Sequence, residues 1–88
     1  MPTYEIRHSW NATQSPTVVG KVEGAIAMAK QGKIPVGFRP ISIVAVPGQT
    51  EAHCLWEAPS AESLESLYRQ IELPTTRTIR EVTPFFTA

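Results

Sequence analysis

The sequence predicts a single α+β domain in which two helices alternate with four strands. Three observations support this prediction. The length of 88 residues suits one small domain. Apolar residues recur at a period of two in short segments and at helical spacing in two longer ones. Turn-forming Gly, Pro, Asn and Ser residues separate these segments, and no repeat or low-complexity run interrupts them.

A strand and a helix are predicted in the first third of the chain. Residues 3–10 alternate apolar and polar side chains, the period of two that is typical of a strand. Ser15 and Pro16 suit the N-cap and the first position of a helix. The apolar residues that follow at helical spacing predict a first helix over residues 16–31, with Gly32 just beyond its C-terminus.

The middle of the chain predicts a hairpin of two strands. Residues 41–46 are short and rich in β-branched side chains, which favours a strand. Pro47 and Gly48 match the two central positions of a type II turn. Residues 51–57 should therefore form a third strand that returns beside the second.

A second helix and a last strand complete the prediction. Ser60 is a good N-cap, and Pro74 ends the helix that follows it. Residues 76–83 form the last predicted strand, and residues 84–86 form a short apolar tail. The apolar stripe of the second helix consists of Leu64, Leu67, Tyr68 and Ile71.

The resulting order β-α-β-β-α-β predicts a single ferredoxin-like domain over residues 1–88. Its sheet would be antiparallel with the strand order 4-1-3-2, and both helices would cover one face. A core of one layer on this length of chain buries little apolar surface. We therefore expect a second copy to cover the bare face of the sheet, giving a homodimer of the dimeric α+β barrel type.

Charge and composition exclude several partners. The 8 basic and 8 acidic residues balance, so the chain lacks the basic excess on which nucleic-acid binding depends. The longest apolar stretch, residues 41–46, is far shorter than a membrane span. The single cysteine, Cys54, and the absence of a secretory signal pattern predict a cytoplasmic protein.

One end of the predicted sheet gathers the residues with reactive or polar side chains. Imidazole and thiol groups suit zinc, nickel or copper, so His8 and His53 are the candidate metal ligands. Because His53 and Cys54 are adjacent in a strand, only one of them can share a face with His8. A metal would then need a second subunit, waters, or the carboxylates of Glu57 or Glu81. The candidate binding pocket consists of His8, Trp10, Cys54, Tyr68 and Arg77.

A resemblance to a known family lies in the C-terminal third. It contains the string CLWEAPSAESL at residues 54–64, a Leu-Pro pair at 73–74 and Ile-Arg-Glu-Val at 79–82. These strings resemble a family of small ferredoxin-like domains of unknown function that includes nickel-binding proteins of actinobacteria. The resemblance implies a dimeric α+β barrel and a bound divalent metal. Of the implied ligand positions, His8 matches the one in the first strand, whereas Tyr68 stands at the helix position.

The sequence thus predicts a small binding protein that holds a divalent metal (nickel or zinc) or a small ligand at the His8 end of the sheet. One alternative is a cofactor-free barrel enzyme of the oxygenase or isomerase type, with His8 as general base. Another is a protein-interaction subunit that acts through its sheet face. A structural role for the cluster, with Cys54 as a small buried hydrophobe, is a further alternative. No phosphate loop or nucleophile elbow occurs, so no catalytic residue is assigned.

Overall fold

The structure is a computed structural model that describes residues 1–48 and 50–87. It contains four strands and two helices in the order β1-α1-β2-β3-α2-β4, which confirms the predicted α+β class. A short 3₁₀ turn, Ala12–Gln14, leads into α1. The bounds are Thr3–Ser9 for β1, Ser15–Lys30 for α1, Arg39–Ala45 for β2, Glu51–Glu57 for β3, Ala61–Gln70 for α2 and Thr76–Val82 for β4.

The four strands form one antiparallel sheet in the order β2-β3-β1-β4. Counted from the opposite edge, the same order is 4-1-3-2. The central strands β1 and β3 pair in the register Ile6↔Cys54 and His8↔Ala52. At the edge, the register of β2 shifts beyond Pro40, since proline has no N–H to donate to β3. The two helices pack against the buried side chains of the central strands β1 and β3.

The two faces of the sheet differ in chemistry. Ile6, Cys54 and Trp56 face the helices and are buried. The opposite face, called here the open face, carries alternating charges: Glu5 bonds to Arg7 at 3.2 Å and to Arg80 at 2.8 Å. Arg39 and Glu57 form a further ion pair there. Charge pairs of this kind are typical of a solvated face, so the expectation that a second copy covers it stays a prediction.

The start of α1 differs from the predicted N-cap. Ser15 lies inside the first turn rather than at the cap, and the residue at the cap, Gln14, makes no side-chain bond. The Ser15 hydroxyl instead accepts a hydrogen bond from Trp10 Nε1 at 2.9 Å. The capping role passes to Asn11, whose side chain accepts from the backbone of Thr13 and starts the 3₁₀ turn. The predicted N-cap was therefore wrong, because the indole of Trp10 takes the hydroxyl.

Both helices end in the same backbone motif. At the end of α1, Gly32 has φ +69° and Lys33 N–H donates to the carbonyl of Met28, which is the Schellman arrangement. Gly32 is thus confirmed just beyond the C-terminus of α1. At the end of α2, Glu72 takes the left-handed conformation with φ 54°, and Leu73 N–H donates to the carbonyl of Tyr68. A non-glycine residue in this position is strained.

The beginning of α2 confirms Ser60 as its N-cap. The Ser60 hydroxyl accepts from Ser63 N–H at 3.0 Å, and the Ser63 hydroxyl accepts from Ser60 N–H at 3.1 Å. This reciprocal capping box fixes the helix axis relative to β3. The predicted apolar stripe then faces the sheet, with Leu64 fully buried beside Ile6 in the core. Neither helix in the described ranges is long and apolar enough to cross a membrane.

Candidate functional site

A cavity of about 220 Å³, called here the central cavity, lies between the sheet and the two helices. Nearly all of its wall is apolar surface. The space exists because several wall positions carry small side chains: Ala45, Ala52 and Cys54 on the sheet and Ala25 on α1. Larger residues complete the wall: His8, Trp10, Val18, Val19, Val22, Ile43, Trp56, Tyr68, Ile71, Leu73 and Thr75, together with the charged residues Lys21 and Glu23 of α1.

His8 is the one strongly polar side chain that the described core buries, at 5% exposure. Its Nδ1 atom lies 2.9 Å from the hydroxyl of Thr75, and its ring meets Tyr68 edge-on at 5.1 Å. Burial lowers the pKa of His8 to about 4, and the nearby charge of Arg77 acts in the same direction. The imidazole is therefore neutral at physiological pH.

Arg77 on β4 lies next to the central cavity and contacts the residues that form its end. It donates a bidentate pair of hydrogen bonds to the carboxylate of Glu65, with distances of 3.1 Å from Nε and 2.7 Å from Nη2. Its Nη1 also donates to the hydroxyl of Thr75 at 3.2 Å, and its guanidinium lies 5.1 Å from the ring centre of Tyr68. The hydrogen bond from Arg77 holds the pKa of Glu65 below its usual value.

The hydroxyl of Thr75 connects Arg77 to His8. It accepts a hydrogen bond from Arg77 Nη1 and lies within hydrogen-bond distance of His8 Nδ1. These contacts hold the imidazole ring in place at the wall of the central cavity.

Two other wall residues also hold unused polar atoms. Trp56 Nε1 and Tyr68 Oη are buried and have no hydrogen-bond partner among the described residues. Burial raises the pKa of Tyr68 well above its usual range and raises that of the Cys54 thiol to about 11. Both groups therefore stay protonated at neutral pH. The surface that the central cavity exposes is almost wholly apolar, and the charged side chains that border it, Lys21 and Glu23, belong to α1.

The structure brings together most of the residues predicted for the pocket. His8, Trp10, Cys54 and Tyr68 all line the central cavity. Arg77 lies outside the wall and supports it through Tyr68 and Thr75.

The two residues of the predicted metal pair lie on different faces of the sheet. His8 faces the helices, whereas His53 pairs with Arg7 and points to the open face. The two residues border the same depression at the strand ends, and the charge of His53 acts on His8 there, so the pair stays a prediction. No group of three or more His, Cys, Asp and Glu residues in the described part of the chain is arranged to hold a metal ion.

The sequence does not identify three residues that line the central cavity or hold His8 in place, namely Trp56, Thr75 and Glu65. Trp56 could have been found from strand alternation, because it lies two residues after Cys54 and so shares its face. Thr75 and Glu65 carry no such signal. Their roles depend on how α2 lies against the start of β4, which only the folded structure shows.

Two further concavities flank the central cavity. A groove of about 600 Å³ runs between the C-terminal half of α1 and β2, and it includes Ile26, Phe38 and Ile41. A depression of about 280 Å³ lies at the strand ends and includes His8, His53 and Glu51. Neither contains Trp56 Nε1 and Tyr68 Oη together with His8, so the central cavity has the more distinctive chemistry.

No protein-family model matches the chain, and no curated protein matches it either. The resemblance of residues 54–64 to the family that includes nickel-binding proteins therefore stays a prediction. The geometry of the central cavity is the basis for a functional assignment.

Proposed function

We propose that this protein is a binding protein for a small, largely apolar molecule, which occupies the central cavity. The observation that supports it most is the partly open apolar cavity of about 220 Å³ between sheet and helices. Sites for small molecules are typically concave and mostly apolar, as this cavity is. An engineered apolar cavity of about 150 Å³ binds benzene, and this one has room for a substituted ring.

Toluene titration tests this proposal directly. In proton–nitrogen correlation NMR spectra, toluene should shift the amide signals of Ala52, Cys54 and Val22 and saturate at one site per chain. Ala52→Leu should abolish the shifts, because the longer side chain fills the space. Ala27→Leu, the same change on the exposed side of α1, is the matched control and should leave them intact. Shifts that persist in Ala52→Leu would count against binding in the cavity.

We extend the proposal to a cytoplasmic homodimer. Phe85 and Phe86 are 100% and 85% exposed, and adjacent exposed aromatics are typical of a protein interface. The open face of the sheet, by contrast, carries ion pairs. The free and buried thiol of Cys54 is in keeping with a reducing compartment.

A cofactor-free enzyme is the second candidate, because His8 is held in place beside the cavity by Thr75. In the tautomer whose Nδ1–H donates to Thr75, the Nε2 atom is free to accept a proton, as a general base requires. Chemical conversion of a bound compound, observed as new product signals and absent in His8→Gln, would favour this candidate.

Divalent metal binding is the third candidate. His8 and Cys54 lie on one face and together could offer two ligands, with any others coming from water or a second copy. Calorimetric titration of tag-free protein with nickel and zinc, beside His8→Ala, tests it. Stoichiometric binding that is lost in His8→Ala would favour a metal, and heat-free titrations of both proteins would exclude it.

A further inference from the structure

We infer that residues 83–86 of a second copy, called here the aromatic segment, dock in the groove between α1 and β2. The inference rests on the homodimer in the proposed function, because it names the surfaces through which the two copies bind. Each chain carries one aromatic segment and one such groove. In a symmetric dimer, each chain therefore gives its segment and receives that of its partner.

The aromatic segment leaves two large side chains in solvent. Phe85 is 100% exposed and Phe86 is 85% exposed, and neither belongs to a helix or strand. Removing aromatic side chains from water is strongly favourable. Pro84 fixes the backbone angle φ just before them, so the segment loses less conformational entropy when it docks.

The groove offers apolar surface beside the edge strand β2. Its volume is about 600 Å³, and since a cavity of about 150 Å³ holds benzene, two phenyl rings fit. Ala25 and Ala29 face the groove from α1, and their small side chains keep it open. The larger apolar residues of its lining include Ile26, Ile34, Phe38 and Ile41.

The polar part of the groove suits the backbone of the segment. Its lining includes Lys30, Arg39 and Ser42, whose side chains can donate hydrogen bonds. The segment offers more backbone acceptors than donors, because Pro84 lacks an N–H. β2 also forms one edge of the described sheet, and an edge strand presents backbone N–H and C=O groups to an extended chain.

The area that the exchange buries is large enough for a stable dimer. One aromatic side chain buries about 150 to 250 Å². Two chains contribute four of these side chains, and the groove surface beneath them adds a similar area. The total is on the order of 1,600 Å², which is the typical size of a specific interface.

The sheet topology favours a second copy over the same chain as the source of the segment. β4, which leads into the aromatic segment, and β2 are opposite edges of the sheet. The register places the end of β4 level with the start of β2, three strand spacings or roughly 14 Å away. Three residues of extended chain span about 10 Å, so the backbone of Phe85 does not reach β2 of its own chain.

A variant that fills the groove tests the inference by analytical ultracentrifugation. Ala29→Trp should be monomeric at the micromolar concentration at which the wild-type chain is a dimer, because the indole occupies the groove. Ala27→Trp, the same change on the exposed side of α1, is the matched control and should remain dimeric. Circular dichroism spectra establish that both variants are folded.

A mixture of two monomeric variants tests the exchange itself. Ala29→Trp keeps its aromatic segment but has no open groove, whereas the double variant Phe85→Ser, Phe86→Ser keeps the groove and lacks both aromatic side chains. Their equimolar mixture restores one of the two contacts. It should therefore form heterodimers, with weaker affinity than the wild-type dimer, although neither variant associates alone.

A peptide tests the contact in a chain whose groove is unchanged. A peptide of residues 81–87, added to the double variant Phe85→Ser, Phe86→Ser, should shift the amide signals of Ala29 and Ile41 in proton–nitrogen correlation spectra. The same peptide with serine in place of both phenylalanines is the control and should leave these signals unchanged.

The outcomes separate the inference from the proposed function. A dimeric Ala29→Trp, a mixture without heterodimers or a peptide without effect would each overturn the inference, and a dimeric wild-type chain would still uphold the homodimer. A monomeric wild-type chain would overturn both, and groove signals that differ from those of the double variant would then show that the segment binds its own chain. Toluene binding in the central cavity is measured separately and does not depend on these results.

Discussion

The chemistry of this protein depends on one residue, His8, and on the groups that surround it. An imidazole on a central strand could have been placed on either face, and the alternation of β1 buries it. Burial keeps it neutral, and the hydrogen-bonded series of Glu65, Arg77 and Thr75 holds its ring in place. A polar group that is buried with one half of its hydrogen bonds satisfied is a candidate contact for a ligand.

Acid should destabilise the fold through His8. Its pKa is lowered from 6.5 to about 4 in the folded state, so the unfolded chain binds the proton more readily. Stability is full above about pH 6.5 and falls as the pH drops toward 4. Linkage gives a loss of about 2 kcal/mol between about pH 7 and pH 5. Urea unfolding at the two pH values should show this loss.

His8→Gln removes the titrating group and should flatten the dependence over the same interval. The interval lies above the range in which the carboxylates titrate, so their contribution is small there. A direct NMR titration of the imidazole is the decisive measurement. Titration of His8 near its ordinary value would contradict the burial argument, as would an unchanged acid slope in His8→Gln.

At the scale of elements, the ends of the two helices show how local chemistry fixes the site. α1 and α2 end in the same Schellman motif, but the left-handed position is Gly32 in one and Glu72 in the other. The residue after Glu72 is Leu73, which lines the central cavity. The strained turn therefore helps to position the cavity wall and the start of β4.

Glu72→Gly should stabilise the protein by about 0.5 to 1 kcal/mol, because glycine adopts a positive φ without a Cβ clash. Gly32→Ala is the matched opposite change and should destabilise by about 1 kcal/mol. Nothing lies within 4 Å of a Cβ built at Gly32, so its effect would come from the backbone alone. Urea unfolding measures both. A loss of stability in Glu72→Gly would show that the Glu72 side chain has a role of its own.

The capping box of α2 makes a second prediction at this scale. Ser60→Ala removes one of its two reciprocal hydrogen bonds and should cost about 1 kcal/mol. Ser66→Ala, at an exposed position within the same helix, is the control and should be neutral or slightly stabilising. Thermal unfolding followed by circular dichroism compares them. Equal melting temperatures for Ser60→Ala and Ser66→Ala would contradict the role of the cap.

For the whole molecule, the sequence predicts the helices and strands better than it predicts the cavity that lies between them. The third strand and the cap at Ser60 follow from local patterns, and the structure has both where the sequence predicts them. Ser15 was misassigned because its hydroxyl bonds to Trp10, a contact that no local pattern encodes. The central cavity depends on how small residues from three different elements face one another. Periodicity gives the face of each residue but not the distance between layers.

Self-association is the last prediction. We expect the wild-type chain to sediment as a dimer at micromolar concentration, with Phe85 and Phe86 in the interface, since two adjacent exposed aromatics favour burial. The double variant Phe85→Ser, Phe86→Ser should be monomeric. Val36→Ser, at an isolated apolar residue with 101% exposure, is the control and should remain dimeric. A monomeric wild-type chain would overturn the homodimer proposal.

The same double variant connects the dimer to the cavity. The described wall of the central cavity is built within one chain, so a monomeric variant should still bind toluene with nearly wild-type affinity. Binding that disappears together with the dimer, while the circular dichroism spectrum stays native, would show that the partner copy completes the site. The proposal of a cavity that is sufficient within one chain would then be wrong.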